Sequence, residues 1–504
     1  MDLRRFGQRR REGHGRLEQG MVRVEHDLHP LCPPFSALPG IPYWGTPSRV
    51  AQPERLAKVR EKVMRHAVRA ALLPSGLMFE SERPAHRFRR RLRRRLAKLK
   101  DLLAGDGRLV QERGSEHGDP MLIVTILREA GAVGVNTHIA QAADLLSQQG
   151  ERVRIVSLDS WLPLIGPLLL APCLAIRRTH FTPGIPLDRY LTSLSVELSI
   201  RRQLKLEKPT VIYAQDPRSA HAALRARGSL PIPVVMVVHY NESEAEELVN
   251  LHAIRRGGRA DRAIRSFEAA LIPRLDGLVL VSDFMRQHLY DVIPEAKAVS
   301  SAVIPNFLSD TRPSPADVVT RDCISVGYLV KRKNHGYLLH VLAAAKRQGH
   351  RYSLTLVGDG PEREPLQRLA AELGIADQVH FLGERFDIDE LLRQHRVYVH
   401  SALMENCPFA LLEGFRAGLP VVAAPFGGIP EVVGGDGSGR FWDLADPIGG
   451  ARILSDLLEN ESELARAARR ARARFESTYD ADVVGHQLAQ FLESARTPLS
   501  RFPG

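Results

Sequence analysis

Two glutamates, Glu405 and Glu413, stand with seven residues between them in VYVHSALMENCPFALLEGFRAGLPVVAAPFGGIPEVV, residues 397–433. Carboxylates bind sugar hydroxyls well through charge-assisted hydrogen bonds. The run VYVHSA reads as a buried strand ending in a loop, Leu403 to Cys407. Pro408 suits the first helical position, where a missing N–H costs little, Gly418 suits the helix C-cap, and Pro420 opens the next strand. The start of this helix therefore lies at the carboxyl edge of a sheet, where free N–H groups and the helix dipole suit a diphosphate. Carboxylates there would repel phosphate unless they face sugar hydroxyls, and a Gly-Gly-Ile-Pro-Glu turn follows at 427–431.

Other segments offer weaker signals. SVGYLVKRKNHGYLL (325–339) brings Lys331, Arg332 and Lys333 into one loop, either as a phosphate clamp or as solvated surface. LTLVGDGP (354–361) places Gly358 and Gly360 in a turn. VVMVVHYNE (234–242) ends a strand on His239, a position open to a structural role or to one facing a cleft. In REAGAVGVNTHIAQAADLL (128–146), Gly134 permits close approach of backbone to a phosphate or sugar. Two Asp-x-Asp runs, Asp387/Asp389 and Asp480/Asp482, open helices, where aspartate is a common cap; neither is read as a metal site.

These candidates need elements to hold them. From Pro120 onward the chain alternates apolar runs with helical stretches: MLIVTIL, RVRIVSL, VIYAQ, VVMVVH, LVLVS and AVIP, then CISVGYL, YSLTLVGDG, QVHFLGE, VYVHSA and LPVVAAP after a Pro- and Ser-rich break at 307–322. Apolar strands alternating with helices imply parallel sheets covered on both faces. The fold class is α/β, with two doubly wound domains whose ligands belong at the carboxyl ends of the strands. The expected division is a basic extension over 1–118, an acceptor-side domain over 119–308, a nucleotide-sugar domain over 309–480, and a helix over 481–504 that crosses back to the first domain.

The segment ENCPFALLEGFRAGLPVVA resembles the hallmark of the retaining glycosyltransferases of the group-1, or family-four, type, which have the GT-B fold of two facing Rossmann-like domains. The resemblance covers roughly residues 120–495. It implies that Glu413 holds the ribose of a nucleotide, that Glu405 lies beside the donor sugar, and that backbone N–H groups in the stretch Asn406, Cys407, Pro408 and Phe409 serve sugar and phosphate. It places Lys333 in a diphosphate clamp after Gly327. Tyr328 occupies the family's arginine position, with Lys331 or Arg332 as substitutes. Gly358 and Gly360 fall near the base, Gly134 and Asn136 in the loop after the first strand, and His239 facing the reacting sugar. The family's glycine pair is interrupted here by Val133. VIPNFLSD (303–310) matches the interdomain segment around Asn306.

The resemblance implies a retaining, metal-independent hexosyl transfer without a cofactor. The donor is a nucleotide-diphosphate sugar and the acceptor is an unidentified glycan, lipid-linked or small molecule, in cell-envelope, polysaccharide or glycoconjugate synthesis. His239, Lys333 and Glu405 are the implied catalytic residues. Two other readings stay open: a nucleotide-sugar epimerase of related fold, and a non-catalytic nucleotide-sugar-binding protein.

Charge separates the two ends of the chain. Of 70 Lys+Arg and 58 Asp+Glu, residues 1–118 hold 26 and 13, a net of +13, which leaves 44 and 45 for the rest, a net of −1. The body gives no reason to expect a nucleic-acid partner. Within AHRFRRRLRRRLAKLKDLL (85–103), Phe88, Leu92, Leu96, Leu99 and Leu103 recur at helical spacing among basic residues. Such a helix docks on the body, lies on an anionic membrane surface, or forms an RNA-binding arm. WLPLIGPLLLAPCLAI (161–176) falls short of the roughly 20 residues of a spanning helix, and it contains three prolines. No apolar run follows the basic N-terminus, so no secretory signal is read. Cys32, Cys173, Cys323 and Cys407 match no metal or redox spacing. A cytoplasmic setting, peripheral at the inner face of the membrane, is the expectation.

Overall fold

The computed structural model describes residues 111–113, 118–127, 134–160, 181–250, 253–310 and 319–496. The expected helix at 85–103 and the apolar stretch at 161–176 lie outside these residues, as do Gly131 and Val133.

The first domain contains β1 (Gln111–Arg113), β2 (Met121–Val124), α1 (Gly134–Gln148), β3 (Val153–Val156), α2 (Phe181–Leu206), β4 (Ile212–Ala214), α3 (Pro217–Arg227), β5 (Val234–Val238), α4 (Glu244–Asn250), α5 (Arg259–Leu271), β6 (Gly277–Leu280), α6 (Asp283–Val292) and β7 (Ser301–Val303). Its strands run in the order β1-β3-β2-β4-β5-β6-β7. All neighbours are parallel except β1, which pairs antiparallel with β3.

The second domain contains β8 (Arg321–Val326), α7 (His335–Arg347), β9 (Leu354–Val357), α8 (Arg363–Glu372), β10 (Val379–Gly383), α9 (Ile388–Arg393), β11 (His395–His400), α10 (Phe409–Arg416), β12 (Val421–Ala423), α11 (Ile429–Val433), β13 (Gly439–Phe441), α12 (Pro447–Leu458) and α13 (Glu461–Thr478); α14 (Ala481–Arg496) follows. This sheet is wholly parallel, in the order β10-β9-β8-β11-β12-β13.

Why these runs became strands is visible in their burial. Side chains alternate across a strand, and both faces of each sheet are covered. Met121 and Ile123 join one apolar cluster while Leu122 and Val124 join another, and Val235 and Val237 part in the same way from Val234, Met236 and Val238. The first of these clusters does not stop at the domain boundary. It continues through Val484, Leu488 and Leu492 of α14 to Leu411, Leu412 and Phe415 of α10 and Tyr398 of β11. Helix α14 packs on α1 so closely that a Cβ on Gly485 would stand 1.9 Å from Leu145.

Two boundaries differ from the sequence reading. Gln111–Arg113 lies inside the basic extension expected over 1–118, yet it forms the antiparallel edge of the first sheet. Its QER sequence has no apolar side chain to betray it; its pairing rests on backbone and on Glu112, which meets both Arg152 and Arg154. Pro408 is the N-cap of α10, with extended ψ of 127°, rather than its first helical residue.

Candidate active site

The strand order of the second sheet reverses between β8 and β11, whose following loops lie side by side. Open α/β sheets bind ligands at such a switch point. The loop after β8 carries Lys331 to Lys333 in a short 3-10 turn, and Asn334 ends it with φ 53°, the one non-glycine residue with positive φ among the described residues. Asparagine tolerates that left-handed conformation better than most residues. The loop after β11 holds this turn in place. The Ser401 hydroxyl donates to the Lys333 and Asn334 carbonyls (3.0 and 2.9 Å), and the Leu403 N–H donates to the Arg332 carbonyl (2.9 Å).

Two cations and a histidine consequently gather on one carboxylate. Lys333 Nζ lies 2.5 Å from Glu405 Oε1, Arg332 Nη1 3.1 Å from the same atom, and His400 Nε2 2.8 Å from Oε2. Arg332 also donates to the Met404 carbonyl at 2.8 Å. Burial by itself would raise the Glu405 pKa, but Lys333, His400 and Arg332 together outweigh it and hold the carboxyl well below its usual range. The Lys333 side chain reaches Glu405 by running over Gly327, where a Cβ would stand 3.5 Å from its Cε and Nζ.

Glu413 has the opposite environment. Burial raises its pKa to about 6; Arg416 offsets part of that rise and Asp389 adds to it. Arg416 itself is engaged with Asp389 (2.5 Å) and the Ser309 carbonyl (3.1 Å). Between the two glutamates, the N–H groups of Asn406, Cys407 and Phe409 have no acceptor among the described residues.

The turn at 427–428 shapes the loop from behind. A Cβ on Gly427 would stand 2.3 Å from the Glu405 carbonyl oxygen, and one on Gly428 2.3 Å from that of Asn406. The Gly428 N–H donates to the Glu405 carbonyl at 2.8 Å.

The first domain meets this loop through a relay of neutral groups. Asn306 Nδ2 donates to the Cys407 carbonyl (2.7 Å), which leaves its Oδ1 to accept from His138 Nδ1 (3.1 Å). His138 Nε2 must then accept from the Tyr213 hydroxyl (3.0 Å). Burial lowers the His138 pKa to about 4, so the ring is neutral as this relay requires. The His239 ring packs edge-on against that of His138, with centroids 4.6 Å apart, and its Nε2 stands 3.1 Å from Gln215 Oε1. Asn406 Nδ2 donates to the carbonyls of Tyr240 and Asn241 (2.8 and 3.3 Å). The Glu431 carboxylate accepts the Asp283 and Phe284 N–H groups at the start of α6 (2.7 and 2.6 Å).

Residues 132–312 match the model for "Glycosyltransferase Family 4", and residues 311–474 match that for "Glycosyl transferases group 1". The chain belongs to the group-1 glycosyltransferases. This glycosyltransferase is 27% identical over 322 residues to the lipopolysaccharide core biosynthesis glycosyltransferase LpsE of Rhizobium meliloti, spanning 63% of this chain and 84% of that one. It is 25% identical over 326 residues to a glycogen synthase of Mycobacterium tuberculosis, spanning 60% and 76%. Among solved structures, sucrose-phosphate synthase from Thermosynechococcus elongatus shares the fold with a TM-score of 0.60 at 17% identity, over 75% of this chain and 99% of that one. HepE of Anabaena, solved with UDP, shares it with a TM-score of 0.54 at 19% identity, over 75% and 100%. The GT-B fold expected from the sequence is present.

The remaining expected positions fall as follows in the glycosyltransferase. Tyr328, in the clamp's arginine position, is 57% exposed. Lys331 is exposed, whereas Arg332 is committed to Met404 and Glu405. Gly358 and Gly360, expected near a base, pack against backbone: a Cβ would meet the Gly327 and Leu329 carbonyl oxygens at 2.1 and 2.4 Å. Gly134 opens α1, with the Phe409 ring 3.3 Å from where its Cβ would be; Asn136 lies half-buried two residues on. Asp387 precedes α9 and pairs with Arg385, Asp389 pairs with Arg416, and Asp480 precedes α14. The sequence reading missed His138, His400 and the Glu431 contact. Only the position of His400, at a strand's carboxyl end just before the glutamate loop, could have drawn attention to it.

Proposed function

We propose that this glycosyltransferase takes its sugar from a nucleotide-diphosphate donor, retains the anomeric configuration and needs no divalent metal. The carrying observation is the gathering of Lys333, Arg332 and His400 on Glu405 at the mouth of α10, beside N–H groups that have no acceptor among the described residues. In this reading Lys333 and the N–H groups of Asn406, Cys407 and Phe409 take up the charge of the departing diphosphate. Such electrostatic stabilisation is usually the largest catalytic term. The bond from the anomeric carbon to phosphate oxygen breaks, the acceptor oxygen bonds on the same face, and the acceptor's proton passes to the leaving phosphate. Glu405 faces the donor sugar, Glu413 the ribose, Gly358 and Gly360 shape the base site, and His239 faces the sugar from the first domain.

The relative named for lipopolysaccharide core biosynthesis supports a role in envelope polysaccharide synthesis. We also place the enzyme at the cytoplasmic membrane face, with 85–103 as the anionic-surface contact. Nine Lys and Arg lie between Arg87 and Lys100, each worth about 1 kcal/mol near such a surface. No helix among the described residues is long and apolar enough to cross a membrane. Salt-reversible co-sedimentation with anionic vesicles, lost on deleting 85–103, is the expected outcome; equal sedimentation refutes the contact.

The test of the chemistry is incubation with UDP-, GDP- and ADP-sugars plus a chelator, with and without glycan acceptors, followed by NMR of the product. Release of nucleoside diphosphate with an unchanged anomeric configuration supports the proposal. Inversion, or dependence on added metal, contradicts it, and isomerised donor without acceptor would indicate the epimerase.

A further inference from the structure

Helix α4 begins with three carboxylates, and two of them are fully engaged. Glu244 pairs with Arg189 and with Arg218, the latter at 3.2 Å. Glu246 pairs with Arg256 and with Arg265, the latter at 2.8 Å. The N–H groups of this turn are occupied as well, that of Glu244 by Glu268 (2.9 Å) and that of Glu246 by the Ser243 hydroxyl (3.0 Å). The arginines thus fasten α4 to the body of the first domain.

Glu247 differs from both neighbours. Among the described residues it has no cation within ion-pair distance, and the only hydrogen bond to its carboxylate is from the Asn241 N–H at 3.4 Å. It is exposed to solvent, yet protein surrounds its carboxyl closely enough that burial raises its pKa; Arg332, from the other domain, acts in the opposite direction. The carboxylate therefore stands at the surface with the Asn241 N–H as its hydrogen-bond donor. Asn241, whose N–H holds that carboxylate, and Tyr240 are tied by Asn406 to the donor loop, next to the Glu405 that pairs with Arg332.

We infer that Glu247 is an acceptor-binding residue, whose carboxylate receives hydroxyl groups of a polyhydroxylated acceptor, a sugar or polyol, on the first-domain side of the donor loop. The inference rests on the transferase reading above. An aliphatic or aromatic acceptor would gain nothing from a desolvated carboxylate there, whereas a hydroxyl pair satisfies both oxygens. The arginine pairs behind Glu244 and Glu246 keep the helix from turning this side chain away.

The experiment compares the full chain with Glu247→Gln and Glu247→Ala, using the nucleotide sugar that the wild type turns over and a panel of methyl hexosides as acceptors. The KM for an accepted hexoside should rise roughly ten- to hundredfold, the range for hydrogen bonds to a charged group. The donor dissociation constant should stay unchanged, and Glu247→Asp should recover part of the loss. An unchanged hexoside KM overturns the inference, as does a matching loss of donor affinity, which would make Glu247 a tie to Arg332 across the domains. If the wild type turns over the donor but no hexoside accelerates it, the assigned acceptor class is wrong. A wild type that turns over no nucleotide sugar refutes the transferase reading itself.

Discussion

Lys333 Nζ lies 2.5 Å from Glu405 Oε1, so the cation assigned to the diphosphate is held by the carboxylate assigned to the sugar. The pair helps explain how a buried carboxylate stays ionised: burial is the largest single influence on Glu405, and Lys333 leads the groups that oppose it. Replacing Lys333 by methionine should lower turnover about ten- to a thousandfold, as for loss of one stabiliser of developing charge. It should also move the acid limb of the pH–rate profile upward. The depressed carboxylate contributes stability above its unfolded pKa near 4.5, lost as pH falls through its lower folded value; the variant should lose that contribution at neutral pH. Turnover with an unmoved acid limb would show that Lys333 does not control Glu405.

The glycine turn offers a steric prediction. Gly428→Ala places a methyl where the Asn406 carbonyl oxygen stands 2.3 Å away and Ser282 Cβ 3.0 Å away. Both neighbours are fixed, one by the donor loop and one by the cap of α6. Overpacking of this kind costs about 1–3 kcal/mol. Denaturant unfolding should show that loss together with reduced turnover, whereas wild-type values for both would mean the loop yields freely.

The interdomain relay should make stability acid-sensitive. His138 is buried, with a folded pKa of about 4 against 6.5 for the free side chain. Its folded value is depressed, so the stability it contributes is complete above pH 6.5 and falls as pH drops toward 4. The full effect is about 3 kcal/mol at 1.36 kcal/mol per pKa unit. Unfolding free energies at pH 7.5 and 5.0 should therefore diverge less in His138→Gln than in the wild type. Equal pH dependence in the two proteins would remove His138 from the account.

How far the sequence foretold this molecule depends on which residues carry each feature. Strands β2 and β5 were legible because a parallel strand covered on both faces must be an unbroken apolar run, and MLIV and VVMVV are such runs. Strands β1 and β13, QER and GRF, lie at sheet edges and carry no such pattern. The glutamate pair was legible because its spacing is local. The partners of Glu405 were only half legible: Lys333 came from the resemblance, but nothing local marks a histidine at the end of β11 as its neighbour. The contacts of Asn406 with Tyr240 and of Asn306 with Cys407 join residues more than 100 positions apart, so only the folded chain displays them.

The donor site itself is best tested at Glu413, whose carboxyl is raised to about 6 by burial and makes no hydrogen bond among the described residues. Calorimetric titration of the wild type and Glu413→Ala with UDP-, GDP- and ADP-sugars is the direct measurement. One donor should bind the wild type, and the variant should lose about 1.5–3 kcal/mol, the worth of hydrogen bonds to a charged group. A nucleotide sugar keeps its diphosphate charge across this range, so wild-type affinity should also strengthen about tenfold from pH 5 to 7.5 as the carboxyl ionises. The variant should show no such rise. Failure of every nucleotide sugar to bind, or equal affinity in both proteins at both pH values, would contradict a nucleotide-sugar site built on Glu413.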